Sequence, residues 1–355
     1  MNSNQKVLKL PGLIDIHVHL REPGQTHKED FATGTTAALA GGFTMVLDMP
    51  NNLLPVTSKR SLDTKISAAR SKIACDLGFY FGSLGDNIDE FKKVYKLATG
   101  LKLYLNNTTG GYTIDVKKMK QIYTAWRRLT KTKPILLHAE DDVMPEVTEV
   151  LSKVKHPTHI CHVSSEKELS AIIRAKKKGL PITCGVCPHH LFLNRNDEKK
   201  LGAFGLMKPS LKTKRDLQFL WKNLEFIDVF ESDHAPHTKQ EKRSKTPPFG
   251  VPGLETTLPL LLTAMDQKKI TLQQIIERCY TNPLRIFHLP EQKNTYVEVV
   301  RKLNIVRGSK LFTKCRWSPF EGWKLHYRVR TVTLRGRLVY RTTSKRVTRT
   351  GRIIS

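Results

Sequence analysis

Apolar, β-branched runs recur along the chain near residues 13–19, 43–48, 76–82, 100–105, 134–138, 158–163, 181–186 and 227–232, the pattern of buried strands. Between them lie segments of helical character: Lys28–Ala40, Ser58–Ser71, Ile88–Leu97, Val116–Leu129, Ser165–Lys178 and Lys212–Asn223. Such alternation argues for parallel strands joined by crossover helices. Eight strands predict an α/β fold, a (β/α)8 barrel of the TIM type, with helices near Leu254–Met265 and Leu272–Cys279 completing the outer ring. From Arg301 the helical pattern fades and short β-like pieces appear, such as Val329–Leu334 and Gly336–Tyr340. The reading is therefore a barrel over residues 12–300 and a basic, β-rich segment over 301–355. Residues 1–11 add a strand to this small β-rich appendage.

The polar residues that interrupt these runs carry the candidate chemistry. His17-Val18-His19 ends the first run, and alternation along a strand places Asp15, His17 and His19 on one face. Two imidazoles there can grip one cation. Lys102 lies inside an otherwise apolar run, Leu101–Leu105, where an unpaired ammonium is costly. Either it snorkels to the strand end, or carbon dioxide carboxylates it into an anionic ligand able to bridge two cations. Three later runs end in His138, His162 and Asp233. Nitrogen and carboxylate ligands suit zinc. Metal-competent groups at the ends of five separate strands fall where a parallel barrel gathers its chemistry.

Composition narrows the class. The 355 residues suffice for a barrel plus a minor module. No stretch approaches 18 consecutive apolar residues and no signal-peptide pattern opens the chain, so the expectation is a cytoplasmic protein without a membrane anchor. Six cysteines without regular spacing agree with a reducing compartment. Cys184-Gly-Val-Cys187 before His189-His190 resembles half of a zinc ribbon, but no second pair completes it. Net charge is +28, and residues 301–355 hold 16 Lys+Arg against Glu321 alone, or +15 of that total. These basic residues alternate with apolar ones, which reads either as the outer face of a sheet or as a surface for an acidic partner. Nucleic acid is the less favoured partner.

Five segments together are specific: Pro11–Gly24 with His17, His19 and Arg21; Asp48-Met-Pro-Asn51; Leu101–Asn106; His159–Val163; and Ser232–His237. They resemble dihydroorotase of the amidohydrolase superfamily, most strongly the dihydroorotase domain of the animal multifunctional pyrimidine enzyme. The likeness runs from about Lys9 to Val299, continues weakly through Trp317–Gly322 and fades in the basic tail. It implies a zinc-dependent enzyme of pyrimidine biosynthesis that interconverts N-carbamoyl-L-aspartate and dihydroorotate. It further implies two Zn2+ ions, one held by His17, His19 and Asp233 and the other by His138 and His162. Carboxylated Lys102 and a hydroxide would bridge them, with Asp233 as catalytic proton shuttle. Arg21, Asn51 and His237 match residues that hold the substrate carboxylate. Thr108 and Lys208 fall at further substrate-binding positions, Thr108 in a glycine-bearing loop (Asn106–Gly111) suited to a lid.

Three positions depart from the family pattern. Gly185 replaces a glutamate linked to an extra metal site, so no third metal is expected; Lys208 replaces an arginine or asparagine; Thr109 replaces an aromatic lid residue. The competing readings are another cyclic amidohydrolase, acting on allantoin, a hydantoin or a dihydropyrimidine, and an inactive scaffold for aspartate transcarbamoylase. A homodimer and association with that transcarbamoylase are the macromolecular partners the resemblance suggests.

Overall fold

The computed structural model describes residues 7–107, 113–344 and 346–355. After β1 (Val7–Pro11) come the barrel strands β2 (Leu13–Val18), β3 (Phe43–Asp48), β4 (Asp76–Gly82), β5 (Gly100–Tyr104), β6 (Ile135–His138), β7 (Thr158–Ile160), β8 (Ile182–Val186) and β9 (Val229–Phe230). All eight expected runs are strands, paired in parallel and in chain order. The ring closes where Val18 bridges to His234 and the His19 N–H donates to the His234 carbonyl at 2.8 Å.

Local sequence starts the crossover helices. Asp30, Ser58, Ser165 and Thr213 cap the helices Phe31–Gly41, Lys59–Ala69, Glu166–Lys177 and Lys214–Lys222. Each accepts from the backbone N–H three residues on, and that residue's side chain reaches back to the cap. The first of these helices ends at Gly42, whose φ of 89° suits a residue without Cβ. Barrel strands buried on both faces make two apolar layers. Phe31, Phe79, Phe91 and Trp126 pack between strands and helices. Ile14, Ile16, Met45, Leu47, Tyr80 and Leu136 fill the interior together with Phe287, whose ring lies 6.3 Å from that of Tyr80. The barrel is thus a packed core, and its chemistry is confined to the strand ends.

The second sheet is antiparallel, in the order β1, β10 (Tyr296–Ile305), β11 (Lys324–Leu334), β12 (Arg337–Arg341), β13 (Arg346–Val347). It begins at Tyr296, ahead of Arg301, and takes in the N-terminal strand. Along β11 Leu325, Tyr327 and Val329 are buried while Lys324 and Arg330 are exposed. The sheet is fastened to the helix Leu254–Asp266, where the Tyr327 hydroxyl donates to Asp266 at 2.7 Å and the His326 N–H to Thr263 at 3.1 Å. The final strand β14 (Ile353–Ile354) returns to the barrel and pairs with β4 beside Leu77. No described helix is long and apolar enough to cross a membrane.

Candidate metal centre

The strand ends bring five of the expected ligands together. His17 Nε2 and His19 Nε2 lie 3.3 and 3.0 Å from Asp233 Oδ1. His138 Nδ1 lies 2.9 Å from His162 Nε2, and the His17 and His162 ring centroids are 5.1 Å apart. The first three form a group whose ligand atoms all lie within 4.8 Å of one another. Asp15 does not share this site. Its carboxylate turns to the backbone N–H groups of His17 and Ser232, at a register irregularity in β2 between Asp15 and Val18 that breaks simple alternation.

These residues suit a cation. Burial holds His17 down to about 4, His19 and His162 well below the ordinary imidazole value, and His138 below it. The rings are thus neutral and offer lone pairs. Among the described residues buried His162 Nδ1 has no hydrogen-bond partner, and His138 Nε2 has only Glu140 Oε1 nearby, at 3.4 Å. The other nitrogen of His19, Nδ1, lies 2.8 Å from Asn51 Oδ1, the arrangement a metal-bound imidazole adopts when it donates its second N–H to a carbonyl. Burial pushes the Asp233 carboxyl up, against the pull of His17.

Lys102 is fully buried, and its Nζ donates to the Cys161 thiol at 3.0 Å. A thiol is a weak acceptor, and among the described residues no carboxylate lies within ion-pair reach of Lys102. The site accommodates the bare ammonium poorly. Arg21, His162 and Asp233 have φ of 64°, 39° and 43°, left-handed conformations that cost about 1–3 kcal/mol each and mark places where local strain is held by the surroundings.

A small pocket opens onto this cluster, lined by His17, His19, Arg21, Asn51, Tyr104, His138, His162, Lys208 and Asp233 among others. Arg21, Asn51 and Lys208 thus face it, with Lys208 Nζ 5.0 Å from the centre of the Phe249 ring. His237 is placed differently. It is wholly buried behind Arg21 and does not line the pocket; its Nε2 lies 3.1 Å from the guanidinium and 2.9 Å from the Phe249 carbonyl, and the ring tautomer decides whether it accepts from the first or donates to the second. Thr108 and residues 109–111 of the expected lid lie outside the described residues.

Two further clusters emerge. Cys187, His189 and His190 lie together, but Cys184 does not join them: its thiol faces the Phe226 carbonyl at 3.4 Å. Glu231, which sequence reasoning passed over, sits between His17 and His159. Its spacing of two from Asp233 was the available signal.

An amidohydrolase family model matches residues 8–200, and the chain belongs to that family of metal-dependent hydrolases. It is 46% identical over 341 residues to the multifunctional protein CAD of Squalus acanthias, covering 95% of this chain and 15% of that one. It is 36% identical over 344 residues to the dihydroorotase of Pyrococcus furiosus, covering 93% of this chain and 81% of the relative. Within the family the chain groups by sequence with the dihydroorotases. In fold it matches the L-hydantoinase of Arthrobacter aurescens, with a TM-score of 0.92 at 20% identity over 98% of this chain and 89% of that one. The chain spans about 15% of the length of the multifunctional relative.

Proposed function

We propose that this chain catalyses the reversible ring closure of N-carbamoyl-L-aspartate to dihydroorotate in pyrimidine biosynthesis, using two zinc ions and a carboxylated Lys102. One observation supports it above others: four neutral imidazoles and Asp233 converge on a pocket that also presents the Arg21 guanidinium, and the buried Lys102 amine lies 5.0 Å from the centre of the Tyr104 ring that lines it. His17, His19 and Asp233 would hold one ion, His138 and His162 the other, and carboxylated Lys102 both. The ions, when bound, supply Lewis acidity for the ring carbonyl and acidify a water.

The chain's own groups supply the rest. Arg21, steadied through its Nε by the Pro236 carbonyl at 3.2 Å and by His237, offers a planar fork to the substrate carboxylate, which hydantoins lack. Asn51 and Lys208 flank that position. Asp233, whose carboxyl burial pushes upward, would carry a proton between the attacking water and the ring nitrogen. Partners beyond the substrate, a second copy of the chain or an aspartate transcarbamoylase, belong to this reading too.

The test is turnover by purified, zinc-loaded protein of dihydroorotate against dihydrouracil, hydantoin and allantoin. Preference for dihydroorotate supports the proposal. Preference for an uncharged ring assigns a different amidohydrolase, and full metal content with no turnover of any of them assigns a scaffold.

A further inference from the structure

We propose that Glu231 is a positioning residue of the metal centre: from the end of β9 its carboxylate enters the space left by Gly185 and fixes His17 and His162 in their ligating orientations. The inference rests on the metal-centre reading above and concerns a residue outside the expected ligand set.

The geometry is specific. Glu231 is fully buried. Its Oε2 lies 3.4 Å from His17 Nδ1 and 3.8 Å from His159 Nε2, and its Oε1 accepts the backbone N–H of His162. Among the described residues His17 Nδ1, Glu231 Oε2 and His159 Nε2 are all buried without a well-formed hydrogen bond, so each has capacity facing the others. The opposite nitrogen of His17 faces Asp233. A cation taken by Nε2 leaves the ring proton on Nδ1, directed at Glu231, the carboxylate–imidazole–metal arrangement that fixes tautomer and ring orientation. The bond to the His162 N–H anchors that residue where its backbone is left-handed at φ 39°.

Gly185 makes room for this. A Cβ there would stand 2.6 Å from the Glu231 carboxyl carbon and from Oε1, closer than real contacts allow. The glycine on β8 and the glutamate beyond β9 therefore form one unit, in which substitution of either displaces the same carboxylate.

Cys161 lies in the same group as His17 and Glu231, with ligand atoms within 4.8 Å of one another, so the experiment must separate an orienting carboxylate from a metal-binding one. Apparent cobalt affinity, cobalt absorption spectra and total metal content would be measured for wild type, Glu231→Ala, Glu231→Gln, Gly185→Ala, Gly185→Ala/Glu231→Ala and Cys161→Ala, with kcat and KM alongside. The expected result is metal binding about 10–100-fold weaker in Glu231→Ala, the usual effect of losing such a partner, with an altered spectrum and a fall in kcat larger than any rise in KM. Gln keeps an acceptor oxygen and should restore part of the loss. Gly185→Ala should be as damaging as Glu231→Ala, and the double variant no worse than either. Cys161→Ala should keep the wild-type metal content.

Wild-type affinity and spectrum in Glu231→Ala overturn the proposal, even if the variant melts earlier, because a merely structural role would produce that pattern. Loss of one metal equivalent in both Glu231→Ala and Cys161→Ala also overturns it, by making Glu231 a ligand. A wild-type protein that binds no metal fails the metal-centre reading instead, a distinct outcome.

Discussion

The mouth of the barrel and the five-stranded sheet are both built from strand ends and turns, yet they handle charge in opposite ways. At the mouth His17, His19, Lys102, His138, His162, Glu231 and Asp233 are all buried, several with polar atoms left unpaired, and three residues hold left-handed backbone. In the sheet Leu325, Tyr327, Val329 and Val332 face inward while Lys324, Arg330, Arg337 and Arg341 face solvent. Where a polar residue such as Arg335 approaches the barrel, it meets Asp76 at 2.7 Å. Unsatisfied buried groups and strain are destabilising, so the mouth is shaped for a ligand at the expense of stability, whereas the sheet turns most of its charges to solvent and tolerates only bulges and a few exposed apolar side chains such as Leu303 and Leu338. Substitution at the mouth should therefore alter metal binding and turnover, and in the sheet only stability or association.

The largest break in that contrast should come from Lys102→Ala. If Lys102 is the proposed bridging ligand, its loss should remove metal and turnover together, with partial rescue by short carboxylic acids that fill the space. Metal content and activity measured on the same preparation check this, and full metal content with normal turnover would return Lys102 to a packing role.

Asp233→Asn should follow, lowering turnover by about 10²–10⁴, the range for a lost general acid–base group. Near-normal turnover would move the proton transfer elsewhere. Arg21→Met should reduce kcat/KM for dihydroorotate by roughly 10²-fold, as expected for removing one partner of a desolvated charge pair, while an uncharged dihydropyrimidine loses little. Equal losses on both substrates would make Arg21 structural.

How far the sequence foretold each region follows the same division. The barrel strands were legible because burial on both faces makes them apolar runs, and the clustering of the candidate ligands because a His or Asp at the end of such a run has few other reasons to be there. Glu231 was missed although it shares the spacing of two with Asp233, because nothing local reveals that Gly185, 46 positions earlier, leaves it space. His237 follows the candidate ligand Asp233 closely in sequence, and only the tertiary structure turns it behind Arg21. Asp15 defeated simple alternation through a register irregularity. Strand β14 is two residues long and pairs with β4 across most of the chain, so no local pattern could announce its partner.

The seam between the regions offers a sharper, smaller test. Glu255, on the helix Leu254–Asp266, is buried and accepts the N–H groups of Phe312 at 2.9 Å and Thr313 at 3.0 Å. Burial pushes its carboxyl up to about 7, against the lowering effect of those two bonds. The folded chain therefore retains a proton that the unfolded chain releases between about 4.3 and 7. Its contribution is fully present at the acid end of that window and is lost as pH rises through about 7. Glu255→Gln can accept both N–H groups without ionising. It should gain stability relative to wild type across this window, by at most about 3 kcal/mol, with turnover per folded molecule unchanged. Denaturant melts at several pH values check this, and a pH-independent difference would deny Glu255 the titration.

The smallest expected effect on activity belongs to the exposed basic face. Lys324, Arg330, Arg337 and Arg341 are exposed and lie on strands remote in sequence from every candidate ligand. Neutralising them together should leave turnover within about twofold, because changes at surface positions rarely exceed 0.5 kcal/mol. If this face docks onto an acidic protein such as an aspartate transcarbamoylase subunit, affinity for that subunit should fall in the variant. In the wild type it should weaken steeply as salt shortens the Debye length to about 8–10 Å. Binding of both proteins to the subunit and to random DNA over a salt series separates the outcomes. Loss confined to the subunit identifies a protein-docking face, whereas comparable wild-type affinity for DNA identifies a nonspecific polyanion surface. No binding to either leaves these charges as the solvated outer side of a sheet, and the contrast with the mouth then lies in folding alone.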